Sequence, residues 1–242
     1  MSNKFCLVAP MYNVRQYLIK FMYSLAAQSY ENWHLVLIDD VSTDNSAREA
    51  RLYGDRILGG DRITVIENSE KKWEVANVLR GIQEARPDDV VCRIDPDDYL
   101  CDLDALRIID TVYSQTGCDA LWTKHRWFDE KRITDFNISG PLPDGADPYK
   151  HPWVSSHFKT FRKNLIDGIK DENFRGSDGE YIKRAGDQSI YLPILQVAKK
   201  RVFLPLVAYS YRCNMDPQTF QTDDAKFQAA EAEFLRQRGF VA

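Results

Sequence analysis

Two periods of apolar spacing alternate along the first hundred residues. Residues 5–9, 35–38, 63–66 and 90–94 are short apolar runs that end at polar residues or Pro10. Between them lie stretches with apolar residues three and four apart: 17–27 (Leu18, Phe21, Met22, Leu25), 43–53, 73–85 before Pro87, and 104–113 (Leu106, Ile109, Tyr113). A stripe of period 3.6 buries one side of a helix, and an unbroken run of four to six apolar residues suits a strand covered on both faces. Thr43 or Asp44 is placed to cap the second helix. The alternation predicts βαβ units with right-handed crossovers, hence an α/β fold with a mainly parallel sheet flanked by helices. Ligands of such sheets gather beyond the carboxyl ends of the strands.

The second half reads differently. Residues 120–122 suit a strand, 126–135 two strands around Glu130-Lys131, and 156–162 another strand. A loop rich in Pro, Gly and Asp fills 138–153, a length that usually serves binding. A short helix is expected over 164–169 and polar, irregular chain over 173–184. Residues 188–198 have helical spacing, with Pro193 expected to kink the helix or mark its true start. Residues 201–211 are strand-like, and 224–238 form a terminal amphipathic helix. These elements predict a smaller, mixed β region beside the parallel sheet.

Composition narrows the classes. With 44% hydrophobic residues in 242, a sizeable core is expected, and the charge of −4, mixed along the chain, excludes a basic nucleic-acid surface. No apolar stretch approaches the roughly 20 residues that span a bilayer. Five scattered cysteines without a CxxC pair suggest reduced thiols in a cytoplasmic protein and argue against zinc.

The candidate chemistry is acidic. Asp39-Asp40 closes the second run, Asp95-Pro96-Asp97-Asp98 closes the fourth, and Asp187 opens a helix. The first two groups fall at one sheet edge, where carboxylates repel unless a cation, a donor or a raised pKa intervenes. Mg²⁺ or Mn²⁺ on Asp97 and Asp98 would relieve the repulsion; the same spacing also suits a plain turn with Asp102 capping the next helix. Asp40 can accept from a nucleobase N–H with Tyr12 stacked on the base, or it can serve only the turn into Ser42-Thr43-Asp44. Trp153 and His157, with Trp127 and His151, flank the long loop and are candidates to line an acceptor pocket, though the tryptophans also suit a core. Neither a GxGxxG nor a GxxxxGK[ST] loop follows a strand.

The order Ala9-Pro10-Met11-Tyr12-Asn13, then Val36-Leu37-Ile38-Asp39-Asp40-Val41-Ser42-Thr43-Asp44, then Arg93-Ile94-Asp95-Pro96-Asp97-Asp98, resembles glycosyltransferase family two with its GT-A fold. Gly186-Asp187-Gln188, the stretch 200–205 and Tyr209-Ser210-Tyr211-Arg212 resemble the family's base-bearing helix and closing strand. The resemblance spans residues 5–212. It implies a metal-dependent, inverting transfer of sugar from a nucleotide donor, favouring UDP, to a hydroxyl of a glycan or glycoconjugate, as in polysaccharide biosynthesis. Pro10, Tyr12, Asn13 and Asp40 match positions at the base, Asp95 the ribose, Asp97 with Asp98 the DXD metal-and-diphosphate motif, and Asn77 the helix facing the nucleotide. Arg212 matches a diphosphate contact and Asp187 the catalytic base. Val41 replaces a glycine, and Lys71-Lys72-Trp73 replaces small residues, which makes Lys72 a candidate donor contact of this chain's own. Gly186 stands where many members carry a glutamate before the base. The expected organisation is one GT-A unit over 1–242, with a nucleotide-sugar half (1–118), an acceptor half (119–215) and a terminal helix (216–242). The rival readings are a nucleotidyltransferase, disfavoured because 11–15 lacks a glycine- and arginine-rich loop, and a nucleotide-sugar-binding module without turnover.

Overall fold

The computed structural model describes residues 2–129, 131–134, 137–213 and 221–242. In the first half, β1 (Phe5–Met11), β2 (Trp33–Asp39), β3 (Ile63–Glu67) and β4 (Val90–Arg93) alternate with α1 (Leu18–Ala26), α2 (Ser46–Tyr53) and α3 (Trp73–Ile82). After the two-residue β5 (Tyr99–Leu100) come α4 (Ala105–Thr116), β6 (Ala120–Phe128), β7 (Ile133–Thr134) and β8 (Lys159–Arg162). Then follow α5 (Gly186–Val197), β9 (Arg201–Arg212) and α6 (Asp223–Arg238). The strands form one nine-stranded sheet in the order β3-β2-β1-β4-β8-β6-β9-β5, with β7 on β6.

The predicted parallel half is present: β1 pairs β2 and β4, and β2 pairs β3, all parallel. Its strands are covered on both sides because successive side chains alternate. Phe5, Leu7 and Ala9 pack with Leu18, Phe21 and Met22 of α1, whereas Cys6 and Val8 pack with Val75, Val78 and Ile82 of α3. The expected mixed region is also there, since β8 runs antiparallel to both β4 and β6 while β6 and β9 are parallel. Strand order reverses between β1 and β4. That places a crevice beyond their carboxyl ends, between Pro10–Tyr12 and the Asp95–Asp98 turn.

Several expected elements shift. The second helix begins at Ser46, with Asn45 at its cap in left-handed backbone (φ 68°), while Asp44 accepts from Ser46 N at 2.9 Å. The strand expected from residue 156 starts at Lys159, and β6 absorbs the first of the two strands expected over 126–135. Glu130 and Asp135 lie outside the described residues. The helix expected from residue 188 starts at Gly186 and runs through Pro193. Burial of Ile190, Tyr191, Ile194 and Leu195 outweighs the hydrogen bond that the proline forgoes. Among the described residues no helix is long and apolar enough to cross a membrane.

Candidate functional site

The donor-side crevice is built from the ends of β1 and β2 and the start of α3. A pocket of ≈ 190 Å³ is lined by Pro10, Tyr12, Asp40, Asn77 and Asp95, five of the residues singled out from the sequence, and by Lys71, Trp73, Glu74, Lys183 and Arg184. Tyr12 is 48% exposed, which leaves its ring free to stack. Lys71 Nζ sits 3.1 Å from the centre of that ring and 5.1 Å from that of Trp73. The lysines that line the pocket are Lys71 and Lys183, without Lys72. The Lys72 side chain pairs with Glu70 outside the pocket, and its backbone N–H donates to Asp40 Oδ1 at 2.7 Å.

Asp40 is buried and organises this wall. Oδ1 also accepts from Asn68 Nδ2 at 2.9 Å, and Oδ2 accepts from Trp73 N at 2.9 Å. Burial works against its charge, but these donors, led by Lys72 N–H, hold its carboxyl below the usual range. The Asn77 side chain adds a further hydrogen bond, so the roughly four acceptor positions of the carboxylate are largely taken by this scaffold. Asn77 Oδ1 accepts from Asn68 Nδ2 at 2.7 Å, so its amide is part of the same scaffold. Asn13 ties the end of β1 to the neighbouring turn: Oδ1 accepts from Thr43 N at 2.8 Å, and Ser42 Oγ accepts from Asn13 N at 2.9 Å. Val41 adopts φ 65°, the left-handed backbone a glycine would take freely.

Next to this pocket lies a polar cleft of ≈ 470 Å³ bordered by Arg93, Asp95, Asp97, His157, Asp187 and Arg212. Arg212 binds the acidic turn, donating from Nε to Asp97 O at 3.1 Å and from its backbone N to Asp98 Oδ1 at 2.6 Å. Burial and then the Asp95 charge push Asp97 up to about 6. Burial, then Asp97 and Asp95, push Asp98 well above the carboxylate range. Asp98 Oδ2 is buried without a hydrogen-bond partner. One ligand atom each from Asp95, Asp98 and His157 lie within 4.8 Å of one another. Two carboxylates and an imidazole, with an orphaned oxygen among them, fit a divalent cation. Of the expected pair, Asp98 lies in this grouping beside Asp95 and His157, and Asp97 borders the same cleft.

Asp187 sits in the first turn of α5 and faces three cationic or basic groups. Lys159 Nζ is 2.7 Å from Oδ1, Arg93 Nη1 3.5 Å from Oδ1, and His157 Nε2 3.6 Å from Oδ2. Burial opposes ionisation, yet Lys159, Arg93 and His157 hold the Asp187 carboxyl well below its usual range. His157 is stacked on Tyr209 and Tyr211, with centroids at 5.0 and 4.5 Å, and burial, then Lys159, push its pKa well below the usual imidazole value. On the far side of Asp187 a cleft of ≈ 230 Å³ is lined by Trp127, Trp153, Ser156, His157 and Tyr211. Trp153 and His157 therefore both reach the side where an acceptor was expected.

Sequence reasoning passed over Arg93, Lys159, Glu74, Trp73 and Glu231. The available signal was a charged residue inside an apolar strand run, as at Arg93 and Lys159, because charges seldom stay buried unless paired. Glu231 is the clearest surprise. From α6 its carboxylate accepts from the backbone N–H groups of Lys183 (3.0 Å), Arg184 (2.7 Å) and Ala185 (3.2 Å), and so ties the segment that leads into α5 to the α6 helix. Glu231→Ala is expected to cost about 1–3 kcal/mol, the range for backbone donors that lose a charged partner. Urea unfolding checks this as a lower midpoint at unchanged slope.

Comparison with known proteins fits this geometry. A family model, Glycosyl transferase family 2, matches residues 6–170. The chain belongs to glycosyltransferase family 2. Glycosyltransferase GlyG of Streptococcus pneumoniae is 28% identical over 231 residues, covering 88% of this chain and 71% of its own. EpsE of Bacillus subtilis is 35% identical over 95 residues, or 39% of this chain and 33% of EpsE. Among solved structures, S. aureus TarS 1–349 in complex with UDP-GlcNAc has a TM-score of 0.70 at 18% identity, covering 90% of this chain and 61% of that one. The mannosyltransferase PcManGT from Pyrobaculum calidifontis, in complex with GDP-Man and Mn²⁺, has a TM-score of 0.67 at 13% identity, covering 100% of this chain and 66% of that one. These two establish a shared GT-A fold for this family 2 member. The chain spans about a third of EpsE and three fifths of that TarS chain.

Proposed function

We propose that this glycosyltransferase moves a sugar from a nucleoside diphosphate donor, a UDP-sugar, to a hydroxyl of a glycan or glycoconjugate, with inversion and with a divalent cation. The observation that carries the reading is the adjacency of the Tyr12–Asp40 pocket to the cleft that holds the Asp95–Asp98 turn and Asp187, the two sharing Glu74, Asp95 and Arg184. The base lies on Tyr12 after Lys71 leaves the ring, and its N–H takes over an Asp40 acceptor position from one of the pocket's own donors. Uracil offers such a group at N3, whereas cytosine offers an acceptor there, which disfavours a cytidine donor. Guanine also offers an N–H, so GDP is the competitor.

Asp95, Asp98 and His157 would hold Mn²⁺ or Mg²⁺, which when bound supplies positive charge for the departing diphosphate. Arg212 adds a fixed cation beside the same turn. The acceptor ring rests against Trp127 and Trp153, and its hydroxyl points to Asp187. Asp187 takes the hydroxyl proton as oxygen attacks the anomeric carbon from the face opposite the leaving group. Lys159, 2.7 Å away, orients the carboxylate, while Arg93 stays farther off at 3.5 Å.

Thermal unfolding with UDP, GDP, dTDP and CDP, each with and without Mn²⁺, tests the reading. A nucleotide at a hundred times its dissociation constant stabilises by about 2.7 kcal/mol. A Mn²⁺-dependent rise with UDP, and none with CDP, is expected. Equal shifts for all four would refute the role of Asp40 as base reader.

A further inference from the structure

Asp187 meets two buried cations, but only one of them, Lys159, is in close contact with it, at 2.7 Å. Arg93 is held back by other partners. It ion-pairs through Nη1 with Asp95 and through Nη2 with Glu74 of α3, and stays 3.5 Å from Asp187. The Glu74 carboxylate occupies space that belongs to position 186. A Cβ built on Gly186 would stand 2.3 Å from both Cδ and Oε1 of Glu74, far inside van der Waals contact. Glu74 borders both the donor pocket and the catalytic cleft. A carboxylate reaching in from α3 and a glycine at the start of α5 therefore require each other.

Resting on the transferase reading above, we propose that Glu74 is a positioning residue of the active site, one that draws Arg93 off Asp187, and that Gly186 is a glycine in order to admit it. The acidic group comes from α3 and enters the place a side chain on α5, one residue before Asp187, would fill. Its charge matters through Arg93 rather than by touching substrate. A carboxylate returned to the same place from position 186 should therefore do the same work.

The test compares wild type, Glu74→Ala, Glu74→Gln, Gly186→Glu and the double variant Glu74→Ala/Gly186→Glu. Steady-state donor turnover is read with melting temperature alongside. Loss of an outer partner that orients a reacting group typically lowers activity about 10–100-fold. Glu74→Ala and Glu74→Gln are expected to lose that much in kcat while donor KM stays nearly constant, the pattern of an effect confined to the transition state. Gly186→Glu alone melts lower and turns over slowly, because two carboxylates then compete for one space. The double variant melts higher than Gly186→Glu and recovers most of the kcat lost in Glu74→Ala. A fully active Glu74→Ala, a loss seen only in donor KM, or a double variant no faster than Glu74→Ala would each overturn the proposal. A wild type that releases nucleotide from no donor would refute the transferase reading itself, which separates the two failures.

Discussion

Asp187→Asn is expected to lower kcat by about 10²–10⁴-fold, the contribution of a positioned general base, while Mn²⁺-dependent binding of the nucleotide persists. Asparagine keeps the shape and one acceptor oxygen but cannot take the proton. It also leaves Lys159, 2% exposed at its side chain, without the anion 2.7 Å away. Removing one partner of a buried ion pair costs about 3–5 kcal/mol; because the Asp187 side chain is 29% exposed, the lower end applies. A melting curve must accompany the kinetics for that reason. A folded Asp187→Asn protein that binds donor and turns over normally would remove Asp187 from the mechanism.

The second large effect is expected at Asp98. Asp98→Asn keeps an oxygen for the Arg212 N–H but withdraws the anionic ligand whose Oδ2 lacks a partner. The Mn²⁺-dependent part of the nucleotide-induced stabilisation, about 2.7 kcal/mol at a hundredfold excess over the dissociation constant, should vanish. Stability without ligand should rise or stay level, because a neutral amide avoids the burial and the repulsion from Asp97 and Asp95 that push the Asp98 carboxyl up. Calorimetric titration with Mn²⁺ alone supplies an independent reading. Unchanged Mn²⁺ binding in Asp98→Asn would exclude the grouping of Asp95, Asp98 and His157 as the cation site.

The parallel half was legible because its signals are local. Four apolar runs and three helical stripes alternate within the first hundred residues, and each acidic motif lies directly after its strand. Motif order in turn led to Pro10, Tyr12, Asp40, Asn77 and Asp95, which the fold gathers around one pocket. What was not legible depends on pairs distant in sequence. Arg93, Lys159 and Asp187 come from β4, β8 and α5, and no periodicity reports that an antiparallel β8 carries Lys159 to the end of β4, opposite Arg93. The confusion of Lys71 with Lys72 has a smaller cause. The Lys72 N–H is committed to Asp40 and its side chain to Glu70, contacts that sequence spacing does not reveal, while Lys71 reaches the Tyr12 ring.

The tie that Glu231 makes to the segment before α5 also bears on how the protein is made. The strands and helices of the donor side are complete in the chain more than a hundred residues before Glu231 emerges from the ribosome. A nascent or prematurely released chain that ends before α6 holds every residue of the Tyr12–Asp40 pocket, but two that line it, Lys183 and Arg184, lack the carboxylate that fixes their backbone. Such a fragment is expected to take up nucleotide less well than a chain that includes α6, so the pocket is finished only when Glu231 has emerged.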